Sequence, residues 1–109
     1  MKIFDKKAAL ELLDNDEELL LVLIDSFLNE NKFEKSVLEN QIESGKTKAA
    51  ASYVHSIKGA ARQLCMEKLK SSGQELEDVL RGKTTGDIPS LIEKMFTDYE
   101  EAILTIQNA

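Results

Sequence analysis

The sequence predicts an all-α protein: an antiparallel up-down four-helix bundle with a short additional N-terminal helix, in a single domain spanning residues 1–109. Three observations predict it. Apolar residues recur at intervals of three and four nearly throughout, the spacing of helices with one buried face. No run alternates with a period of two, so no strand is indicated. Breakers are few: Pro89 is the single proline, and only the stretch GKTTGDIP, residues 82–89, reads as a true loop.

Asp5 can cap a short first helix through about Leu13, with Ala9, Leu12 and Leu13 turned inward. Asn15 or Asp16 caps the second, and Glu17 and Glu18 in its first turn suit the positive end of the helix dipole. Its stripe of Leu20, Leu23, Ile24 and Phe27 resumes at Leu38 and Ile42. Residues 29–35 are polar except Phe33, so the stripe drifts, and whether the helix bends there stays open. Gly45 ends this helix. A third runs from about Thr47 to Leu64, and a fourth from about Glu67 to Leu80, with Leu69, Gly73, Leu76 and Leu80 at inner spacing. Asp87 caps the fifth, where Leu91, Met95, Phe96, Tyr99, Ile103 and Ile106 recur. Four substantial helices with short connections imply the bundle, the first short helix serving as a lid.

At 109 residues and 12.2 kDa the chain can bury roughly 65% of its unfolded surface, enough for a core without metals or disulfides. One cysteine, Cys65, excludes an internal disulfide and fits a reducing compartment. The longest apolar run, Leu19 to Ile24, is six residues, too short for a membrane span, and the opening MKIFDKK is too charged for a signal sequence. A cytoplasmic protein without direct membrane contact is expected.

The net charge of −6 and a pI near 4.8 weigh against nucleic acid as a partner. The charge is unevenly spread. Between Lys46 and Lys70, six basic side chains face one acidic one, a surplus of +5, and the other eight basic and nineteen acidic residues leave −11 elsewhere. An acidic protein with one basic block is prepared for an acidic surface or a phosphate.

That block surrounds the only histidine, His55, in the stretch VHSIKGAARQL, residues Val54 to Leu64. The apolar positions of the third helix are Ala50, Val54, Ile57, Ala61 and Leu64. At about 100° per residue their mean direction lies roughly 140° from His55, so the imidazole faces solvent or a shallow flank. Ala51 and Ser52 one turn before it and Gly59 one turn after it keep its surroundings low, while Lys58 and Arg62 follow on the same side. A lone histidine is ordinarily a surface residue, Lys58 an ordinary solvated lysine, and Gly59 a close helix–helix contact. The combination argues for chemistry. A neutral imidazole has a free lone pair and is a nucleophile near neutral pH, and Lys58 and Arg62 put positive charge where a phosphoryl group on it would hang. A glycine inside a helix costs about 1 kcal/mol against alanine, which either close packing or access to His55 would offset. Cys65 reads as a small buried hydrophobe.

Glu77 is a candidate to orient His55 from the next helix. The third and fourth helices run antiparallel; His55 lies ten residues before Cys65, and Glu77 eleven after Met66. A carboxylate accepting the Nδ1 proton would leave Nε2 as the nucleophile. The other reading of Glu77 is a solvated glutamate.

His55-Ser56-Ile57-Lys58-Gly59-Ala60-Ala61 resembles the H-x-[hydrophobic]-K-G-[small]-[small] motif of histidine-containing phosphotransfer (HPt) domains. Gln63 and Leu64 match the polar and apolar positions that follow, and Gly73, Leu76 and Glu77 match a pattern on the next helix. The opening FDKKAALELLDNDEELLLVLIDSF also looks like the first helices of that family, so the similarity spans nearly the whole chain. Cys65 departs from it, standing where members commonly have glycine. The resemblance implies a phosphorelay carrier: His55 would accept a phosphoryl group from a receiver-domain aspartate and pass it to another. It further implies Lys58 as the stabilising cation, and Ala51, Ser52, Gly59 and Arg62, with Gln63 as a further candidate, as the docking surface for receivers.

No cofactor of its own is implied, since the receiver brings Mg²⁺, and no glycine-rich nucleotide signature suggests use of ATP. The domain reads as a transfer intermediate rather than an independent enzyme, expected as a monomer, either free-standing or the C-terminal domain of a hybrid sensor histidine kinase. Three rivals stand beside it. A helical module could dock on receivers without transfer, and a degenerate relay domain could bind and regulate them. A metal-binding bundle is the weakest, because one histidine without a Glu-x-x-His pair is not a metal site.

Overall fold

The computed structural model describes residues 1–108 and contains six helices: α1 Lys6–Leu12, α2 Glu17–Glu30, α3 Lys35–Glu43, α4 Thr47–Gln63, α5 Glu67–Leu80 and α6 Ile88–Gln107. Among the described residues there is no strand. The all-α expectation holds, with one division that periodicity left open: the second expected helix is two helices.

The break has a physical cause. Continuing the stripe of Leu20 and Phe27 at helical spacing would bring Asn31 and Glu34 inward, and burying them would cost more than ending the helix. Leaving the helix instead lets Phe33 turn in, where it is 3% exposed and meets the rings of Tyr53, Phe96 and Tyr99 at 5.8, 6.1 and 5.8 Å. Two backbone groups freed by the break find one partner on α4. The Tyr53 hydroxyl accepts from Glu34 N–H at 2.7 Å and donates to the Lys32 carbonyl at 2.9 Å.

Side-chain caps open α1, α2 and α6. Asp5 accepts from Ala8 N–H, Asp16 from Leu19 N–H and Asp87 from Ser90 N–H, with Pro89 in the first turn of α6. Asn15 therefore does not cap α2. With φ of 61° it closes α1 instead, donating its N–H to the Leu10 carbonyl at 2.7 Å. Leu12 is also corrected: expected inward, it is 69% exposed. The short α1 buries the arc of Ala9, Leu10 and Leu13, and Leu12 lies roughly 100° from the middle of that arc.

Large buried side chains from each of the longer helices share one core: Phe27, Leu38, Val54, Ile57, Leu69, Leu76 and Met95, closed by Leu64 and Met66 at the turn. Each contributes about 2 kcal/mol by burial, against about 1 kcal/mol for a cap, so packing decides the arrangement and the caps set its boundaries. α5 packs against both α4 and α6. Among the described residues no helix is long and apolar enough to cross a membrane.

The turn between α4 and α5 is tight. Cys65 adopts φ of 55°, with Cys65 N–H donating to the Arg62 carbonyl at 3.2 Å and Met66 N–H to the Ala61 carbonyl at 2.9 Å. This is the helix-ending turn that glycine ordinarily serves, and Gly45 makes the same turn after α3 with φ of 75°. Cys65 is half-buried, and burial, then the charges of Asp5 and Glu67, push its thiol up, away from the reactive thiolate. Ahead of α1, residues 2–5 lie along this turn. Lys68 N–H donates to the Lys2 carbonyl, Lys2 N–H to Glu67 Oε2, and Asp5 N–H to the Cys65 carbonyl, at 3.0, 2.9 and 3.1 Å.

Candidate functional site

His55 stands midway along α4 with its side chain 60% exposed, on the flank opposite Val54, Ile57 and Ala61. Its Nδ1 lies 3.1 Å from Glu77 Oε2 and 3.2 Å from Oε1, across the α4–α5 pairing. Glu77 itself is buried, 5% exposed, and a buried carboxylate needs partners. It has two cations: Lys58 Nζ approaches Oε1 at 2.9 Å, and Arg81 Nε approaches Oε2 at 2.8 Å. Burial alone pushes the Glu77 carboxyl up. Hydrogen bonds from Lys58 and Arg81, the Lys58 charge and the His55 contact outweigh it, and bring the group down to about 2. The carboxylate is thus ionised at any pH near neutral and can only accept. A neutral His55 beside it holds its proton on Nδ1, which leaves the Nε2 lone pair bare on the solvent side.

Lys58 reaches Glu77 because α5 offers no side chain in its way. A Cβ added at Gly73 would lie 3.2 Å from Lys58 Cβ and 3.4 Å from Met95 Cε, so glycine there lets the lysine stem cross the helix. The stem is covered and the side chain only 14% exposed. Its ammonium also donates to Gln74 Oε1 at 2.9 Å, and Gln74 Nε2 donates to Asp78 Oδ1 at 2.8 Å. Lys58 is therefore a fixed cation held between two residues of α5, not the freely solvated one its position on the helix suggested.

The remaining candidates divide. Ser52 and Arg62 are exposed along the His55 flank, and a Cβ at Gly59 would meet nothing within 4 Å. Gly59 is thus no helix–helix contact, and its effect is to keep the ground beside the imidazole bare. Ala51 must be withdrawn from the docking surface, since it is 1% exposed. It shares a flank with Lys58, seven residues on, and α5 covers that flank, so the buried arc of α4 is wider than its apolar stripe implied. Gln63 is exposed at the end of α4 and, among the described residues, makes no side-chain hydrogen bond to the cluster.

Three members of the cluster escaped the sequence reading: Gln74, Asp78 and Arg81. Their spacing held a signal. Arg81 is four residues after Glu77 and Asp78 four after Gln74, the helical spacing at which side chains on one face meet. A recess of about 670 Å³ lies elsewhere, between the end of α2 and α6, lined by Leu28, Phe33, Phe96 and Ile103 among others. None of its walls comes from His55, Lys58 or Glu77. The candidate nucleophile stands instead on an open flank, an arrangement that suits a macromolecular partner better than an enclosed small substrate.

A protein-family model described as the Hpt domain matches residues 22–109 of the chain. The match begins inside α2, so the resemblance read in residues 4–21 lies outside it. Neither curated proteins nor solved structures furnish a match.

Proposed function

The chain belongs to the Hpt domain family, phosphorelay carriers that interact with receiver domains, and from that membership we propose that His55 Nε2 takes a phosphoryl group from a receiver aspartate and delivers it to another. The observation that carries this reading is the pairing of an exposed Nε2 with an Nδ1 held by a buried, ionised Glu77. In the transfer the Nε2 lone pair forms the N–P bond as the P–O bond of the aspartyl phosphate breaks, and the electron pair leaves on the aspartate carboxylate. The ring gains positive charge while keeping its Nδ1 proton, and Glu77 sits where that charge develops.

Such a transfer passes through a loose transition state that needs alignment and charge neutralisation more than acid–base groups. Lys58 supplies the cation, one turn from the imidazole and already oriented. The domain needs no cofactor of its own in this reading, because the receiver contributes Mg²⁺. Ser52, Gly59 and Arg62 form the docking surface, low near the ring and basic at the edge. Arg62 and the other basic side chains between Lys46 and Lys70 steer an acidic receiver pocket toward it, although Lys58 is paired with Glu77 and Lys68 with Glu101, while the acidic remainder of the chain repels. The contact is small and transient, and the carrier acts as a monomer in the cytoplasm, a setting that suits its single thiol.

Incubation with a panel of phosphorylated receivers is the test. The expected product is one acid-labile, base-stable phosphate on the wild-type domain and none on His55→Gln, with circular dichroism unchanged. Phosphoryl uptake by His55→Gln would overturn the assignment, and receiver binding without uptake by the wild type would favour a docking module.

A further inference from the structure

Gln74 holds the Lys58 ammonium at one end of its amide and the Asp78 carboxylate at the other, at 2.9 and 2.8 Å. An ammonium only donates and an ionised carboxylate only accepts, so a single amide orientation satisfies both. Turned over, the amide would set NH₂ against NH₃⁺ and oxygen against carboxylate. Asp78 thus fixes which end of Gln74 faces Lys58, and the four-residue spacing on α5 fixes Asp78.

The ammonium has three N–H donors. Gln74 Oε1 takes one by hydrogen bond, Glu77 Oε1 holds the ammonium as an ion pair at 2.9 Å, and among the described residues no further protein acceptor meets it. Two anchors on a threefold rotor determine where the third donor points. Without Gln74 the head would rest on Glu77 alone, free to turn about that contact and drawn to a carboxylate already shared with Arg81.

We propose that Gln74 and Asp78 are positioning residues for the phosphoryl transfer: Asp78 orients Gln74, and Gln74 holds Lys58 so that its third N–H meets a phosphoryl oxygen arriving on His55. The proposal rests on the reading of His55 as phosphoryl carrier. Neither residue touches the reacting atoms, and neither adds charge to the docking surface beside the ring. Removing either therefore slows the step and leaves receiver affinity alone. Gln74 and Asp78 also line an open cleft with Lys70 and Glu75, so water competes for their hydrogen bonds and the effect is moderate.

The test measures single-turnover transfer from a phosphorylated receiver over a range of receiver concentrations, separating maximal rate from half-saturation. Gln74→Leu is expected to lower the maximal rate about five- to tenfold, the size of one lost hydrogen bond to a charged group, with half-saturation unchanged. Gln74→Glu keeps an acceptor for Lys58 and is expected to recover most of that rate. Asp78→Ala should slow transfer about two- to threefold alone and add nothing on a Gln74→Leu background, because it acts through Gln74. In parallel, NMR of the Lys58 ammonium is expected to show faster proton exchange in Asp78→Ala, a readout that needs no phosphoryl group and uses a surface variant that folds. A wild-type maximal rate for Gln74→Leu, full additivity of the two changes, or unaltered ammonium exchange in Asp78→Ala overturns the proposal. A wild-type domain that accepts no phosphoryl group overturns the functional reading, and the proposal with it.

Discussion

Glu77 lies 22 positions from His55 in the chain and 3.1 Å from its Nδ1 in space. The turn at Cys65 makes the two distances compatible, because α5 returns along α4 in the opposite direction. The carboxylate is ionised, buried and held from three sides. A group so placed makes the stability of the whole fold depend on acid.

The folded-state carboxyl of Glu77 is depressed to about 2 from an ordinary value of 4.5. A depressed acid stabilises the fold fully above its unfolded value and loses that contribution as pH falls through the folded one. Stability should therefore decline between about pH 5 and pH 2, with roughly 3 kcal/mol from this one group. Urea unfolding of the wild type and Glu77→Gln across that range checks it. The variant should be weaker at pH 7, where Lys58 and Arg81 lose their counter-charge, and flatter in acid. Parallel curves for the two proteins would assign the acid sensitivity to other residues.

Gly59 is open where Gly73 is crowded, and the same substitution should act oppositely at the two sites. Gly59→Ala is expected to stabilise the fold by about 1 kcal/mol, the helical preference of alanine with no contact to oppose it. At Gly73 the same gain meets the Lys58 stem at 3.2 Å, so Gly73→Ala should be less favourable and should disturb the Lys58–Glu77 contact. Melting temperatures of both variants give the comparison. Gly59→Glu should also fold, and should block receiver docking by bulk and charge.

Cys65 occupies a left-handed backbone conformation that costs an L-residue about 1–2 kcal/mol. Cys65→Gly relieves this strain but gives up a half-buried side chain and gains freedom in the unfolded chain, each worth several tenths of a kcal/mol or more. The expected net is neutral to about 1 kcal/mol more stable. Cys65→Val keeps the apolar bulk but adds a branch at Cβ, and should lose at least about 1 kcal/mol. Equal thermal stability of the valine and glycine variants would remove strain from the account of this turn.

Tyr53→Phe deletes the hydroxyl that serves both Glu34 N–H and the Lys32 carbonyl. The aromatic packing around Phe33 is retained, so the loss should be about 1–2 kcal/mol. Hydrogen exchange at the Glu34 amide should accelerate more than exchange in α4 or α5. Unchanged exchange at Glu34 would show that the hydroxyl does not hold the α2–α3 break.

Whatever depended on one helix at a time was readable from the sequence. The stripes of α4, α5 and α6, the caps at Asp5 and Asp87 and the exposed flank carrying His55 are local matters of spacing and short-range hydrogen bonding. Glu77 could be placed beside His55 because an antiparallel hairpin with a tight turn converts sequence distance into spatial pairing. Features created by a second or third element were not readable. The α2–α3 break needs a tyrosine nineteen positions beyond Glu34, and the burial of Ala51 needs α5 on a flank with no apolar stripe. The four-residue spacing of Gln74 with Asp78 and of Glu77 with Arg81 was local, but their contacts with Lys58 and His55 depend on the packing of α5 against α4.

The strap of residues 2–5 along the Cys65 turn has a consequence for the order in which the molecule assembles. Its hydrogen bonds join residues separated by about 60 positions, and closing a loop of that length costs about 3.5 kcal/mol of chain entropy. The strap's three partly exposed bonds, at about 1 kcal/mol each, do not exceed that cost by themselves, so the strap holds only once the remainder of the chain has brought its ends together. The α4–α5 hairpin needs no such help, because its loop is a single turn and its contacts are near neighbours in sequence. The hairpin that carries His55 and Glu77 is therefore expected to form before the strap docks, and higher φ-values in α4 and α5 than at residues 2–5 would check that order.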